Sequence, residues 1–402
     1  MTSRVPPPPT RTTALRHRLA ELRGPAVPPQ ALDARSLAAL AANPGCNRRA
    51  LLDGAGVNKA VLAGALGVPS GFGQSQFAFV RGNAFEARVK SDGGAELLRL
   101  AHERLDRGAP APVPGEARVP DLTAAGPEGR AARTALALRE ASEAAGDGVW
   151  TLLDHPMLAL DVAGTPAFLE PDAVVVHPDG RWTVVEIKSF PMIDGSAEPA
   201  KVGAAARQAA VYVLALEEVA ARTEPSAGVG PAQIGQARDG LARVGQARVG
   251  HRVLLVCPKD FSNLPTAAAV DIRKQLSVTR RQLTRLTRIE DIADALPDGT
   301  TFAVEQPPEE LRTAVESVPA TYAPECLSAC ELAFHCRARA RAGGAVTTLG
   351  RAVRGELGGL TTVDAVLSAA HGETGDPDDP AVVALRRAAS LRAEVLGASL
   401  CH

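Results

Sequence analysis

The hydrophobic pattern divides the chain into helical ends and a strand-rich middle. From about Thr13 to Leu66, alanine- and leucine-rich stretches read as short helices, interrupted at NPGCNRRALLDG. Residues 82–106 read as helix at each end with a break at Asp92-Gly93-Gly94. A proline-rich loop covers 108–120, and a helix runs from about Glu128 to Ala145. The period then shortens. MLALDVA (157–163), DAVVVH (172–177) and WTVVEIK (182–188) are short runs of strand formers separated by turn residues. A helix follows from about Pro199 to Ala221, HRVLLVCP (251–258) reads as a buried strand, and a basic helix is expected over 264–288. Strands in the middle with helices before, between and after predict an α/β fold built on a mixed sheet.

The same pass gives the organisation. Residues 1–12 are proline-rich and expected to be a disordered tail, and 13–80 form a helical segment. Residues 81–300 make the core, interrupted at 224–250 by a Gly- and Ala-rich stretch that repeats GQAR and reads as a flexible insertion or a surface helix. Residues 319–402 form a helical tail that carries three close cysteines.

Between the two central strands lies Pro178-Asp179-Gly180. Proline presets φ at the second turn position, aspartate suits the third, and glycine accepts the left-handed residue that follows. This is the three-residue hairpin loop that ends in a bulge. If His177 and Arg181 flank it, Asp172 lies opposite Glu186, and Lys188 shares their face. Two carboxylates so placed repel unless a cation lies between them or one is protonated. Mg²⁺ or Mn²⁺, hard ions that take carboxylate and phosphate oxygens, suit that position, and a lysine can hold an attacking water and balance phosphate charge. The plain alternative is a surface salt bridge on an antiparallel edge. A shorter loop would put Asp172 opposite Ile187 and dissolve the constellation.

Composition changes this picture in three places. Of 402 residues 46% are hydrophobic but only 3% aromatic, so the core is built from Ala, Val and Leu. Net charge is −1, so nucleic-acid contact has to come from a local patch. Residues 272–289 offer one, with six Arg or Lys and no acid; a solvated helix face is the competing reading. No export signal or membrane-spanning stretch stands out, so the expected location is cytoplasmic, where the six cysteines are not expected to form structural disulfides.

Two helical features accompany the hairpin. Gln208 and Tyr212 lie four apart in RQAAVYVLAL, one face of a helix that can meet a phosphate or a base. Glu86 sits in RGNAFEARV, on a helix that begins at the small pair Gly82-Asn83. The ordered set G-x-x-F-E, PD, E-x-K and Q-x-x-x-Y resembles the RecB-like branch of the PD-(D/E)XK nuclease superfamily over about residues 80–260. The resemblance implies a restriction-endonuclease-like fold in which Glu86, Asp172 and Glu186 hold the metal and Lys188 assists the attacking water. The carbonyl of Ile187 is then an extra ligand, with Gln208 and Tyr212 near the active site and the DNA.

PECLSACELAFHC places Cys326, Cys330 and Cys336 within eleven residues, and Cys46 is the expected fourth thiol. Four thiolates bind Zn²⁺ or an iron–sulfur cluster. Cys257 reads as a buried small hydrophobe and Cys401 as incidental. A distant N-terminal cysteine and a C-terminal triplet around such a core is similar to the iron–sulfur nucleases, including the AddB nuclease domain and the nuclease of CRISPR spacer acquisition. That resemblance implies a 4Fe–4S staple. The chain departs from it in having three residues, not two, between Cys326 and Cys330, and His335 beside Cys336 leaves Zn²⁺ open.

The expected function is a metal-dependent DNA nuclease, an exonuclease on single strands or ends, in repair, recombination or phage defence. Phosphate contacts are expected from the basic helix and from Arg337, Arg339, Arg341, Arg351 and Arg354. With no helicase P-loop, unwinding would come from a partner. An RNA nuclease on the same core and a non-catalytic nucleic-acid-binding protein with a zinc tail are the rival readings.

Overall fold

The computed structural model describes residues 11–68, 76–145, 148–162, 165–223, 248–284, 286 and 288–399. They group into two compact units, 30–44 with 76–289, and 11–29 with 45–68 and 290–399. The stretch 13–80, expected as one segment, is therefore divided, and Cys46 falls in the unit of the C-terminal cysteines. Arg11 and Thr12, expected in a disordered tail, are helical. Residues 224–247 of the expected insertion, and Cys401, lie outside the described residues. Among the described residues no helix is long and apolar enough to cross a membrane.

Along the chain the first helices are α1 (Arg11–Arg23), α2 (Ala34–Ala42), α3 (Asn47–Gly54), α4 (Lys59–Ala65), α5 (Gln76–Lys90), α6 (Ala95–Leu105), α7 (Gly126–Glu143), α8 (Pro199–Thr223) and α9 (Arg273–Leu283). The strands are β1 (Thr151–Asp154), β2 (Leu158–Val162), β3 (Thr165–Leu169), β4 (Ala173–Val176), β5 (Trp182–Ile187), β6 (Arg252–Pro258) and β7 (Pro265–Asp271). β2 and β3 form a separate antiparallel ribbon. The others make one mixed five-stranded sheet in the order β1-β4-β5-β6-β7, parallel only between β5 and β6. The fold is thus mixed α/β with helices on the sheet.

One expected element is corrected. PTAAAVD, read as the start of a basic helix, is strand β7, and the helix begins only at Arg273. Three alanines favour helix by propensity, but antiparallel pairing with β6 along its whole length overrides that preference.

The central hairpin has the expected register. Val176 pairs with Trp182 and Ala173 with Val185; the His177 N–H donates to Arg181 O at 2.9 Å and the Gly180 N–H to His177 O at 2.9 Å. Gly180 takes φ +80°, where a side chain is strained, and an added Cβ would meet only Ala145 Cβ at 3.5 Å. Gly180→Ala is therefore expected to cost about 1 kcal/mol, chiefly from the backbone. Thermal melting should fall by about 2–4 °C.

Alternation along the hairpin sends its residues to two faces. Ala173, Val175, Val185 and Ile187 join Phe85 and Val89 of α5 and Leu97, Leu98 and Leu100 of α6 in one apolar cluster. Asp172, Val174, Val184 and Glu186 belong to the other face. Helix α8 packs against β5, and α2 and α9 pack against α8.

Candidate active site

The PD and E-x-K residues come together where the sequence puts them. Asp172 ends the loop before β4, and its Oδ2 accepts the Ile187 N–H at 2.6 Å. Glu186 is the next-to-last residue of β5, with 1% of its surface exposed. The Lys188 ammonium, whose side chain is 26% exposed, pairs with Glu186 Oε1. Glu186 Oε2 is buried with no hydrogen-bond partner.

The electrostatics follow from this burial. Burial pushes the Glu186 carboxyl up to about 7; the Lys188 charge works against the rise and the neighbouring Asp172 adds to it. Burial also raises Asp172, opposed by Lys188 and by the Ile187 N–H. Burial alone would lower Lys188, but Glu186 and Asp172 outweigh it and hold the ammonium above its usual range. Lys188 is therefore a cation at neutral pH, a donor rather than a base.

Glu86 has different company. It lies on α5 near enough to Asp172 and Glu186 to raise both, but Lys90 Nζ donates to its Oε1 at 2.6 Å and His155 Nε2 lies 3.1 Å from the same oxygen. These contacts outweigh burial and hold Glu86 down at about 2. Gly82 and Asn83, expected to open the helix, lie inside α5.

Sequence reasoning missed Lys90, Asp154 and His155. Lys90 Nζ also reaches Asp154 Oδ1 at 2.7 Å, His155 Nε2 at 3.1 Å and the Asp172 carbonyl at 2.8 Å. Its spacing four residues after Glu86 was a legible signal. His155, held at φ +44° just after β1, carried none.

Gln208 and Tyr212 do share a helical face: Gln208 Nε2 donates to the Tyr212 hydroxyl at 3.1 Å. The tyrosine is buried, however, and its hydroxyl donates to Glu170 O at 3.1 Å, two residues before Asp172. Tyr212 thus anchors the chain leading into Asp172 instead of offering its ring to a base.

Some expected phosphate contacts are engaged within the chain. Arg273 binds Asp271, Arg280 binds Glu217, Arg339 binds Glu316 and Arg354 donates to Gly358 O. Lys274, Arg281 and Arg341 are exposed. A cavity of about 520 Å³ lies elsewhere in the same unit, lined by Glu103, Asp106, Arg252 and the β7 segment Thr266–Ala269, and none of the hairpin residues reaches it.

The four cysteines share the other unit. Cys46 sits at the N-cap of α3, Cys326 in the turn Pro324–Ser328, and Cys336 in the helix Ala333–Ala342. Burial raises the Cys336 thiol against the Arg48 guanidinium, and the nearby Cys46 and Cys326 add to the rise. Burial likewise lifts Cys330 to about 11. His335 is buried, with its Nε2 3.9 Å from Glu316. Cys257 is fully buried in β6 and pushed up to about 12, an inert thiol as expected.

Among the described residues, no three His, Cys, Asp or Glu side chains close into a group ready to hold a metal ion. The Lys188 ammonium lies on the hairpin carboxylate Glu186, and the Lys90 ammonium on Glu86 of α5. The chain matches no family model, no curated protein and no solved structure. Geometry and chemistry alone carry the functional reading.

Proposed function

We propose that the chain is a metal-dependent DNA nuclease with a restriction-endonuclease-like core of the RecB-like kind, hydrolysing phosphodiester bonds in single strands or at DNA ends. The observation that carries this reading is the β4–β5 register, which continued one residue beyond Ala173 and Val185 sets Asp172 opposite Glu186, with Lys188 paired to Glu186 and a Glu186 oxygen buried and unpartnered. A buried, unsatisfied carboxylate oxygen is costly in a purely structural ribbon. It fits Mg²⁺ or Mn²⁺, which take one or two carboxylates and fill their remaining positions with water and phosphate oxygens.

Such an ion, held by Asp172 and Glu186, supplies Lewis-acid stabilisation of charge on the phosphate and the leaving oxygen. Lys188, held as a cation, donates to the attacking water or to a phosphate oxygen and offsets the developing negative charge. The Ile187 N–H fixes one Asp172 oxygen, and Tyr212 fixes the backbone ahead of it. Lys90 and His155 hold Glu86 at the edge of the site. Exposed Lys274, Arg281 and Arg341 are candidate phosphate contacts, with a helicase as the natural partner for a chain acting on single strands. An RNA substrate on the same residues is the nearest rival.

In the cysteine-bearing unit we infer a tetrathiolate centre from Cys46, Cys326, Cys330 and Cys336, a 4Fe–4S cluster or Zn²⁺. Cys46, which lies near Cys336, is taken as the fourth ligand; His335, whose buried Nε2 has no hydrogen-bond partner among the described residues, is the alternative.

The pH dependence of metal binding follows from Glu186. Its carboxyl, raised to about 7, must lose a proton before it can ligate. Mn²⁺ affinity should therefore rise roughly tenfold per pH unit below about pH 7 and level off above it. Calorimetry in two buffers of different ionisation enthalpy should detect one proton released per ion on the acid side. End-labelled single-stranded DNA should be cut in Mn²⁺ and left intact in EDTA; a cleavage indifferent to EDTA would sink the proposal.

A further inference from the structure

The thiol site carries buried charge that its sulfurs do not balance. Immediately after Cys46, α3 sends Arg48 and Arg49 into the interior, where both are buried. Arg48 Nη1 donates to Cys336 Sγ at 3.3 Å and Nε to Val318 O at 3.2 Å, while its backbone N–H donates to Pro319 O at 2.9 Å. Arg49 Nε donates to Asp53 Oδ2 at 3.0 Å and Nη1 to Ala329 O, and the Cys330 thiol lies close enough to feel its charge. Lys59, buried as well, meets the other Asp53 oxygen at 2.5 Å. Asp53 is thus paired with Arg49 and Lys59, and Arg48 is a third buried cation with no carboxylate in contact among the described residues. Glu331, the other acid near Arg49, has its buried Oε2 4.0 Å from Nη1, too far for a hydrogen bond, and its side chain is 28% exposed.

An uncompensated surplus of buried positive charge is expensive, and proteins tolerate it where an anion completes the site. Protonated thiols cannot do so. A centre ligated by four thiolates can, because both Zn²⁺ and an oxidised 4Fe–4S cluster carry a net double negative charge with four such ligands. We infer that Arg48 and Arg49 are positioning residues for a dianionic tetrathiolate centre, Arg48 donating to the sulfur of Cys336 and both guanidinium groups balancing its charge. This rests on the tetrathiolate reading above. Hydrogen bonds to ligand sulfur and nearby positive charge are among the means by which a protein sets metal affinity and cluster potential. Arg48 and Arg49 also clamp the backbone on both sides of the triplet's first turn, at Val318 and Ala329, so one dipeptide both orders the ligands and balances their charge.

The test uses the full chain, purified anaerobically, as wild type, Arg48→Gln, Arg49→Gln and Arg48→Lys. Readouts are iron per chain, visible absorption, the reduction potential of the reconstituted protein, and Co²⁺ affinity followed by its charge-transfer bands. The glutamine variants should show a more negative potential, or Co²⁺ affinity lower by roughly tenfold or more. Arg48→Lys keeps the charge but not the directed fork, and should shift less in the same direction. If the glutamine variants do not fold, Arg48→Lys decides, since an unchanged potential and Co²⁺ affinity there overturn the inference. Wild type that loads metal, with all variants unchanged, removes the role of the arginines and leaves the centre standing. Wild type that binds neither iron nor Co²⁺ removes both.

Discussion

Glu186→Gln is expected to lower Mn²⁺ affinity by roughly a hundredfold and DNA cleavage by roughly a thousandfold, about 4 kcal/mol at the transition state. The substitution keeps the shape of the side chain but removes the charge that a divalent ion needs, at a position with 1% exposure where water cannot replace it. Lys188→Ala should separate the two effects. It removes the ammonium without touching an oxygen ligand, so cleavage should fall at least a hundredfold, about 3 kcal/mol, while Mn²⁺ still binds. A Glu186→Gln protein that binds Mn²⁺ and cuts DNA as wild type does would return the hairpin to the status of a β-ribbon with a charged edge.

Trp182→Ala should destabilise the sheet unit by about 3–5 kcal/mol, read as a lower denaturant midpoint. Trp182 opens β5, is fully buried, and is the largest side chain with so little exposure. Its Nε1 donates to Ser142 Oγ on α7 at 2.9 Å, and its carbonyl accepts the Gly250 N–H at 2.8 Å just before β6. One residue therefore ties the hairpin to a helix and to the segment leading into its parallel neighbour. Removing the ring leaves a cavity and strips the Ser142 hydroxyl of its donor. Trp182→Phe, which keeps most of the volume, should cost clearly less. Equal costs for the two would mean that the hydrogen bond, not the packing, dominates.

The hairpin was legible because its information is local. Pro178-Asp179-Gly180 fixes the turn, the turn fixes the register, and the register brings Asp172 opposite Glu186 and leaves Lys188 on the same face. The contacts of Lys90 were not legible: nothing local indicates that its ammonium reaches Asp154, His155 and the Asp172 carbonyl, three points set by the packing of α5 against the sheet. Tyr212 shows the converse. Its spacing from Gln208 was readable, but its burial against Glu170 depends on how α8 packs, and that turned a candidate base-stacking ring into an anchor. β7 was misread because alanine carries little strand signal without its partner β6. Cys46 could be grouped with the triplet by chemistry alone, whereas the charge surplus around Arg48 and Arg49 needed the fold to show which cations are buried.

The most direct test is a side-by-side assay of wild type and Lys188→Ala on end-labelled single-stranded DNA, with Mn²⁺ supplied and both proteins verified as folded by circular dichroism. The nuclease account predicts cleavage by wild type that EDTA stops, and a loss of at least a hundredfold, about 3 kcal/mol, in the variant. Cleavage of equal rate in both proteins, or none in either, would contradict it.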